Sequence, residues 1–84
     1  MLYCLCKNND DNTYHLFECK KELNGCYLKS GKSFCKKETL SNSYKHECKF
    51  TCEDIKEARI KIAELANKGE QICGVCVSTL YKNE

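Results

Sequence analysis

The sequence predicts a small α+β domain that depends on its cysteines. It would contain a β-meander or hairpin, one amphipathic helix over about residues 52–68, and a C-x-x-C turn near the C-terminal end. Three observations predict it. Asn24-Gly25 and Ser30-Gly31 punctuate a region of short alternating segments. Apolar residues recur at helical spacing between Ile55 and Ala66. Nine of the 84 residues are Cys, whereas Leu, Ile, Val and Phe together number 17. So small an apolar set leaves little stability against the backbone entropy of folding, and sulfur chemistry must supply the rest. A chain of this length reads as a single cysteine-rich domain, 1–84.

The first segment, Met1-Leu2-Tyr3-Cys4-Leu5-Cys6, is apolar and ends at Lys7; a polar loop, Asn8 to Thr13, follows. Between Tyr14 and Lys37 the pattern is that of a meander. Asn-Gly is a strong two-residue hairpin signal, because a type I′ turn needs positive φ twice. A turn at Asn24-Gly25 would set Leu23 opposite Cys26 and Glu22 opposite Tyr27. A second turn at Ser30-Gly31 would set Tyr27 opposite Phe34 and Cys26 opposite Cys35. Opposed side chains start roughly 5 Å apart, so Cys26 and Cys35 would share one metal or one disulfide.

The helix is marked at both ends. Thr51-Cys52-Glu53-Asp54 has the form of an N-cap with an acid three residues on. Ile55, Ala58, Ile62, Leu65 and Ala66 then make one apolar face. Glu57 with Lys61 and Glu64 with Lys68 are favourable i,i+4 pairs, and Gly69 stands where a C′ glycine belongs. Cys52 would fall in the first turn, where the helix dipole and free N–H groups favour a thiolate.

The cysteines admit two chemistries, a disulfide scaffold or metal sites. Their odd number and the close pairs Cys4/Cys6, Cys48/Cys52 and Cys73/Cys76 favour metal. Close pairs suit adjacent corners of a tetrahedral Zn²⁺ site. Eight cysteines would serve two Zn²⁺ ions: Cys4, Cys6, Cys26, Cys35, Cys48, Cys52, Cys73 and Cys76. One arrangement joins Cys4/Cys6 to Cys48/Cys52 and Cys26/Cys35 to Cys73/Cys76; another joins the two chain ends through Cys4/Cys6 and Cys73/Cys76. Cys19 is the spare thiol, roughly 13 Å from Cys26 along the strand at about 3.3 Å per residue. His15 and His46 are read as surface residues, His46 being the better candidate ligand because it shortly precedes the helix.

Cys73-Gly74-Val75-Cys76 resembles a rubredoxin-type zinc knuckle, in which Gly eases the turn that aims both sulfurs at one metal. The order Cys4/Cys6, hairpin, Cys48/Cys52, helix resembles a treble-clef zinc finger, with C-x-C in place of the usual C-x-x-C. That resemblance implies a structural zinc domain and ligands in the first helical turn.

Net charge is +2, and 13 of the 14 basic residues are Lys. That balance is too weak to imply nucleic-acid binding by itself, and bidentate phosphate recognition leans on Arg. Nothing apolar is long enough to span a membrane. A closed Cys₄ site has no open position for catalysis, and no Ser/His/Asp or H-E-x-x-H pattern is present, so an enzyme is not expected. The expected role is a small zinc-binding module that contacts a protein partner or regulates it. The Lys- and Asn-rich, Pro-free composition suits an AT-rich viral or phage genome. The alternatives are a nucleic-acid-binding finger, contacting phosphate through Lys20, Lys21, Lys36, Lys37 and Arg59, and a secreted disulfide-rich effector. The first segment is shorter than a secretory h-region, which predicts an intracellular location unless a leader has been removed.

Overall fold

The computed structural model describes residues 1–8, 12–35 and 46–81. Lys36 and Lys37 lie outside the described residues, as does the side chain of His46. The described strands are β1 (Leu2–Asn8), β2 (His15–Glu22), β3 (Gly25–Ser33) and β4 (His46–Glu53). They form one antiparallel sheet in the order β3-β2-β1-β4. Helix α1 (Ile55–Asn67), the short α2 (Gly74–Ser78) and a 3-10 turn (Thr79–Tyr81) follow. No helix among the described residues is long and apolar enough to cross a membrane.

Both faces of β1 are buried. Tyr3 and Leu5 point into one apolar cluster with Leu16, Phe50, Ala58, Ile62 and Leu80. Cys4 and Cys6 point the other way and join Phe17 and Cys19. Strict alternation along β1 produces this division. Alternation alone would place Cys48, Phe50 and Cys52 on a common face. The β1–β4 register slips twice, on either side of the Leu5–Phe50 pair. Phe50 thereby joins the helix-side cluster, while Cys48 and Cys52 border the other. A disulfide from Cys26 on β3 to Cys52 on β4 links the two edge strands, so the sheet curls into a half-barrel around the second cluster.

The hairpin between β2 and β3 forms one residue earlier than the Asn-Gly signal indicates. Glu22 faces Gly25 and Lys21 faces Cys26, with Leu23 and Asn24 in the turn. Neither turn residue has positive φ; Gly25 carries it, at +135°. This register opposes Cys19 with Leu28 and keeps both on the inner side of the curl. Gly25 thus begins β3 rather than completing a type I′ turn, and Leu23 is left fully exposed in the turn.

Ser30-Gly31 does not reverse the chain. Between the Cys19–Leu28 and Phe17–Ser33 pairs, β2 advances two residues and β3 five, a bulge in which Gly31 adopts φ +72°. The chain then continues along β2, and Phe34 N–H donates to the Leu16 carbonyl at 2.9 Å. Cys26 and Cys35 therefore lie at opposite ends of β2 and do not share a site.

Helix α1 also starts later than the spacing indicates. Asp54, not Thr51, is the N-cap, and its carboxylate accepts from Glu57 N–H at 2.8 Å. Asp54 has the acid at N3 that a capping box requires, so the box is displaced by one turn. Cys52 lies in β4 with φ +49°, outside the helix. The C-terminal end is as expected. Gly69 N–H donates to Ala66 at 3.0 Å and Glu70 N–H to Leu65 at 3.1 Å, a Schellman pair with Gly69 at φ +86°.

Replacing Asp54 by Ala is expected to lower stability by about 1 kcal/mol, whereas Thr51→Ala changes it by less than about 0.5 kcal/mol. Ile62→Ala, in the helix-side core, should cost about 2–5 kcal/mol. Urea melts of the three variants check the ranking; equal losses at positions 51 and 54 would contradict the cap assignment.

Candidate metal centres

The first half of β2 organises one group of ligands. Tyr14 makes an isolated parallel bridge to Ile72. Its N–H donates to the Gln71 carbonyl at 2.8 Å, and its carbonyl accepts from Cys73 N–H at 2.9 Å. These bonds hold residues 71–73 against the start of β2. On the other side, the Phe34–Leu16 bond brings Cys35 alongside. Cys73 then caps α2, where Val77 N–H returns to its carbonyl at 3.0 Å, and one helical turn carries Cys76 inward. Gly74 needs no left-handed conformation there, since it simply opens α2.

The result is a convergence of His15, Cys35, Cys73 and Cys76, whose ligand atoms all lie within 4.8 Å of one another. His15 Nδ1 is 3.3 Å from Cys35 Sγ and 3.7 Å from Cys76 Sγ. A tetrahedral zinc with bonds of about 2.1–2.3 Å has edges of about 3.6–3.8 Å between ligand atoms, which these spacings approach. His15 and Cys76 are buried, and Cys35 and Cys73 are half-buried. Ser33 Oγ lies 3.2 Å from Cys35 Sγ, a polar neighbour behind the ligand. Burial pushes the Cys76 thiol up to about 12. A cation in the group would reverse that preference, because metal binding needs the thiolate.

The second group lies inside the curl. Cys4, Cys19 and Cys26 have sulfurs within 4.8 Å of one another, and Cys4 Sγ is 3.8 Å from Cys26 Sγ. The β1–β2 register opposes Leu2 with Cys19 and Cys4 with Phe17, so Cys4 and Cys19 are diagonal neighbours on one face. Burial, then the adjacent Cys19 thiol, drives the Cys4 thiol up to about 12; the Cys52 main chain opposes the rise. Two cysteine/His groups that could hold metal ions are thus present among the described residues.

The predicted ligands divide differently from either sequence-based arrangement. Cys73 and Cys76 stand together with Cys35, as expected, but their partner is His15 rather than Cys26. Cys4 and Cys26 meet each other. Cys6 and Cys48, directly opposed across β1 and β4, form a disulfide and belong to neither group. Cys52 is bonded to Cys26. Cys19, the expected spare thiol, is buried beside Cys4 and Cys26. A straight path along the strand gives the separation of roughly 13 Å; diagonal neighbours across the hairpin lie closer. Nine cysteines make a histidine ligand unnecessary by count, so number and spacing do not single out His15. Its signal was an imidazole set within the apolar run Tyr14, Leu16 and Phe17.

Of the phosphate-contact candidates, Lys20, Lys21 and Arg59 lie among the described residues. Lys20 pairs with Glu22 at 3.0 Å. Lys21 is exposed on β2, opposite Cys26. Arg59 turns inward, donates through Nε and an Nη to the Leu80 carbonyl, and lies 4.8 Å from the Tyr81 ring centroid. It ties α1 to the 3-10 turn.

No family model matches this chain, and searches of curated proteins and of solved structures found no match.

The raised thiol pKa values have a sign. The folded, metal-free chain holds these protons more tightly than the unfolded chain, whose thiols ionise near 9. Their stabilising contribution is complete below pH 9 and is lost as pH rises toward 12. Denaturant melts of metal-free protein across that range should show a falling midpoint. Alkylation at pH 8, followed by peptide mass spectrometry, should label Cys4 and Cys76 more slowly than Cys73; equal rates would contradict the burial assigned to them.

Proposed function

We propose that the chain is a small zinc-binding protein that acts as a protein–protein interaction or regulatory module. The observation that carries this reading is the convergence of His15, Cys35, Cys73 and Cys76. One imidazole and three thiolates match Zn²⁺ in softness and number. With all four coordinated, no position is left for water or substrate, so the metal serves structure and the surface serves function. The zinc would staple residues 71–81 to the start of β2, adding to the packing of Ile72, Val77 and Leu80 in the cluster that holds Tyr14 and Leu16. It would also hold Val75 and Tyr81, both exposed, in fixed positions.

Nucleic acid is the weaker alternative. A surface in which Arg59 is committed to Leu80 and Tyr81, and Lys20 to Glu22, lacks the fork-shaped phosphate site that Arg supplies.

Elemental analysis of the purified chain should find zinc. Removing it with a chelator should cost about 2 kcal/mol or more, a drop of roughly 8–16 °C in Tm for a domain of this size. Cys73→Ser combined with Cys76→Ser should lose the ion bound by this group. A metal-free chain whose circular dichroism and Tm ignore both zinc and chelator would sink the reading. Titration with single- and double-stranded DNA and RNA at two salt concentrations addresses the alternative. Submicromolar affinity at physiological salt would promote it above protein binding.

A further inference from the structure

Besides the bonded pair Cys6–Cys48, the interior of the curl holds one further cysteine from each of the four strands: Cys4 from β1, Cys19 from β2, Cys26 from β3 and Cys52 from β4. We propose that these four residues form a second metal site, an all-thiolate Zn²⁺ centre, which is closed to metal while Cys26 and Cys52 are joined.

Three sulfurs, those of Cys4, Cys19 and Cys26, already lie within 4.8 Å of one another. The fourth, that of Cys52, is bonded to Cys26 and stands next to that sulfur, outside the mutual group of three. The Cys4–Cys26 separation of 3.8 Å matches the edge of about 3.8 Å expected for a tetrahedron with Zn–S bonds of about 2.3 Å. Cys4 and Cys19 belong to the two central strands and are buried, so their positions are set by pairing on both sides. Cys26 and Cys52 belong to the edge strands and are half-buried. Cys26 follows the hairpin turn, and Cys52 sits at the end of β4 in a left-handed conformation that a non-glycine residue seldom adopts. The two ligands that must separate are thus the two with room to move. A set of sulfur ligands alone selects zinc or another thiophilic ion over magnesium or calcium.

The chemistry balances with a thiol reductant. Two reductant thiols give two electrons and two protons to the Cys26–Cys52 bond and leave as their own disulfide. The four cysteine thiols then release four protons as one Zn²⁺ enters. The disulfide and the metal compete for the same two sulfurs, so occupancy follows the redox state around the protein. This group shares no ligand with His15, Cys35, Cys73 and Cys76, and the two proposals stand or fall separately.

The test takes the full chain, reduced with a phosphine and titrated with Zn²⁺ or Co²⁺ in the absence of oxygen. Two ions per reduced chain are expected, against one in the unreduced protein. The Co²⁺ spectrum should contain a longer-wavelength component from the all-sulfur set, whose ligand field is weaker than that of a set including imidazole. Cys19→Ser should bind one ion and lose that component. Cys73→Ser/Cys76→Ser should bind one ion and retain it. Cys6→Ala/Cys48→Ala should bind two. A reduced wild type that binds a single ion, kept in Cys19→Ser, overturns this proposal and leaves the His15 group intact. A single ion lost in Cys19→Ser and kept in Cys73→Ser/Cys76→Ser upholds this proposal and overturns the other. Loss of an ion from Cys6→Ala/Cys48→Ala would show that the ligands are partitioned differently and also overturns it. If Cys19→Ser fails to fold, the wild-type spectrum decides, because absence of the longer-wavelength component at two equivalents of Co²⁺ is incompatible with the site.

Discussion

β1 has no solvent side, and the rest of the architecture follows from that constraint. A strand buried on both faces needs two separate covers, yet the chain has apolar residues for little more than one. Helix α1 and the C-terminal turns cover Tyr3 and Leu5. On the other face, the cover is largely sulfur and the single ring of Phe17. Cys is among the most frequently buried side chains and behaves there as a small hydrophobe, so it can fill the curl whether or not a bond or a metal joins its sulfurs. The two register slips around Phe50 belong to the same solution. They hand one aromatic ring to the helix side without surrendering Cys48 or Cys52 to solvent.

Legibility from sequence tracked the range over which each feature is determined. The body and C-terminal end of α1 depend on residues within a few positions of one another, and the spacing of Ala58 and Ile62 and the placement of Gly69 identified them. The start of α1 was offset because two overlapping tetrapeptides, Thr51 to Asp54 and Asp54 to Glu57, both have capping form, and only the second is free of β4. A hairpin was legible, its register was not: Asn24-Gly25 is a local signal, and both registers put the same residues on the inner face, so the apolar pattern does not choose between them.

The ligand groups lie further from the reach of spacing rules. Cys73 and Cys76 are close in sequence and remained together. Cys4, Cys19, Cys26 and Cys52 have no motif, because their common feature is a position across four strands rather than an interval along one. Cys6 and Cys48 show the converse, since each belonged to a close pair and yet each paired across the sheet with the other. Close pairs in sequence point in opposite directions on a strand only when the interval is odd; C-x-C and C-x-x-x-C leave both residues on one face, where cross-strand neighbours compete for them.

The ligands of the first group have a consequence for the order of events in folding. Cys76 comes 61 residues after His15, and Cys35 lies between them across a bulged strand. In zinc fingers whose ligands sit within a short stretch, the ion can gather an unfolded chain and act as the nucleus. Here a loop of that length must close first, and its closure is favourable only once β2 has partners and α1 has turned the chain back. The metal would then act as a latch, arriving after the topology is complete. It would contribute little to the rate at which the chain finds its fold and much to how slowly the finished molecule lets go of it.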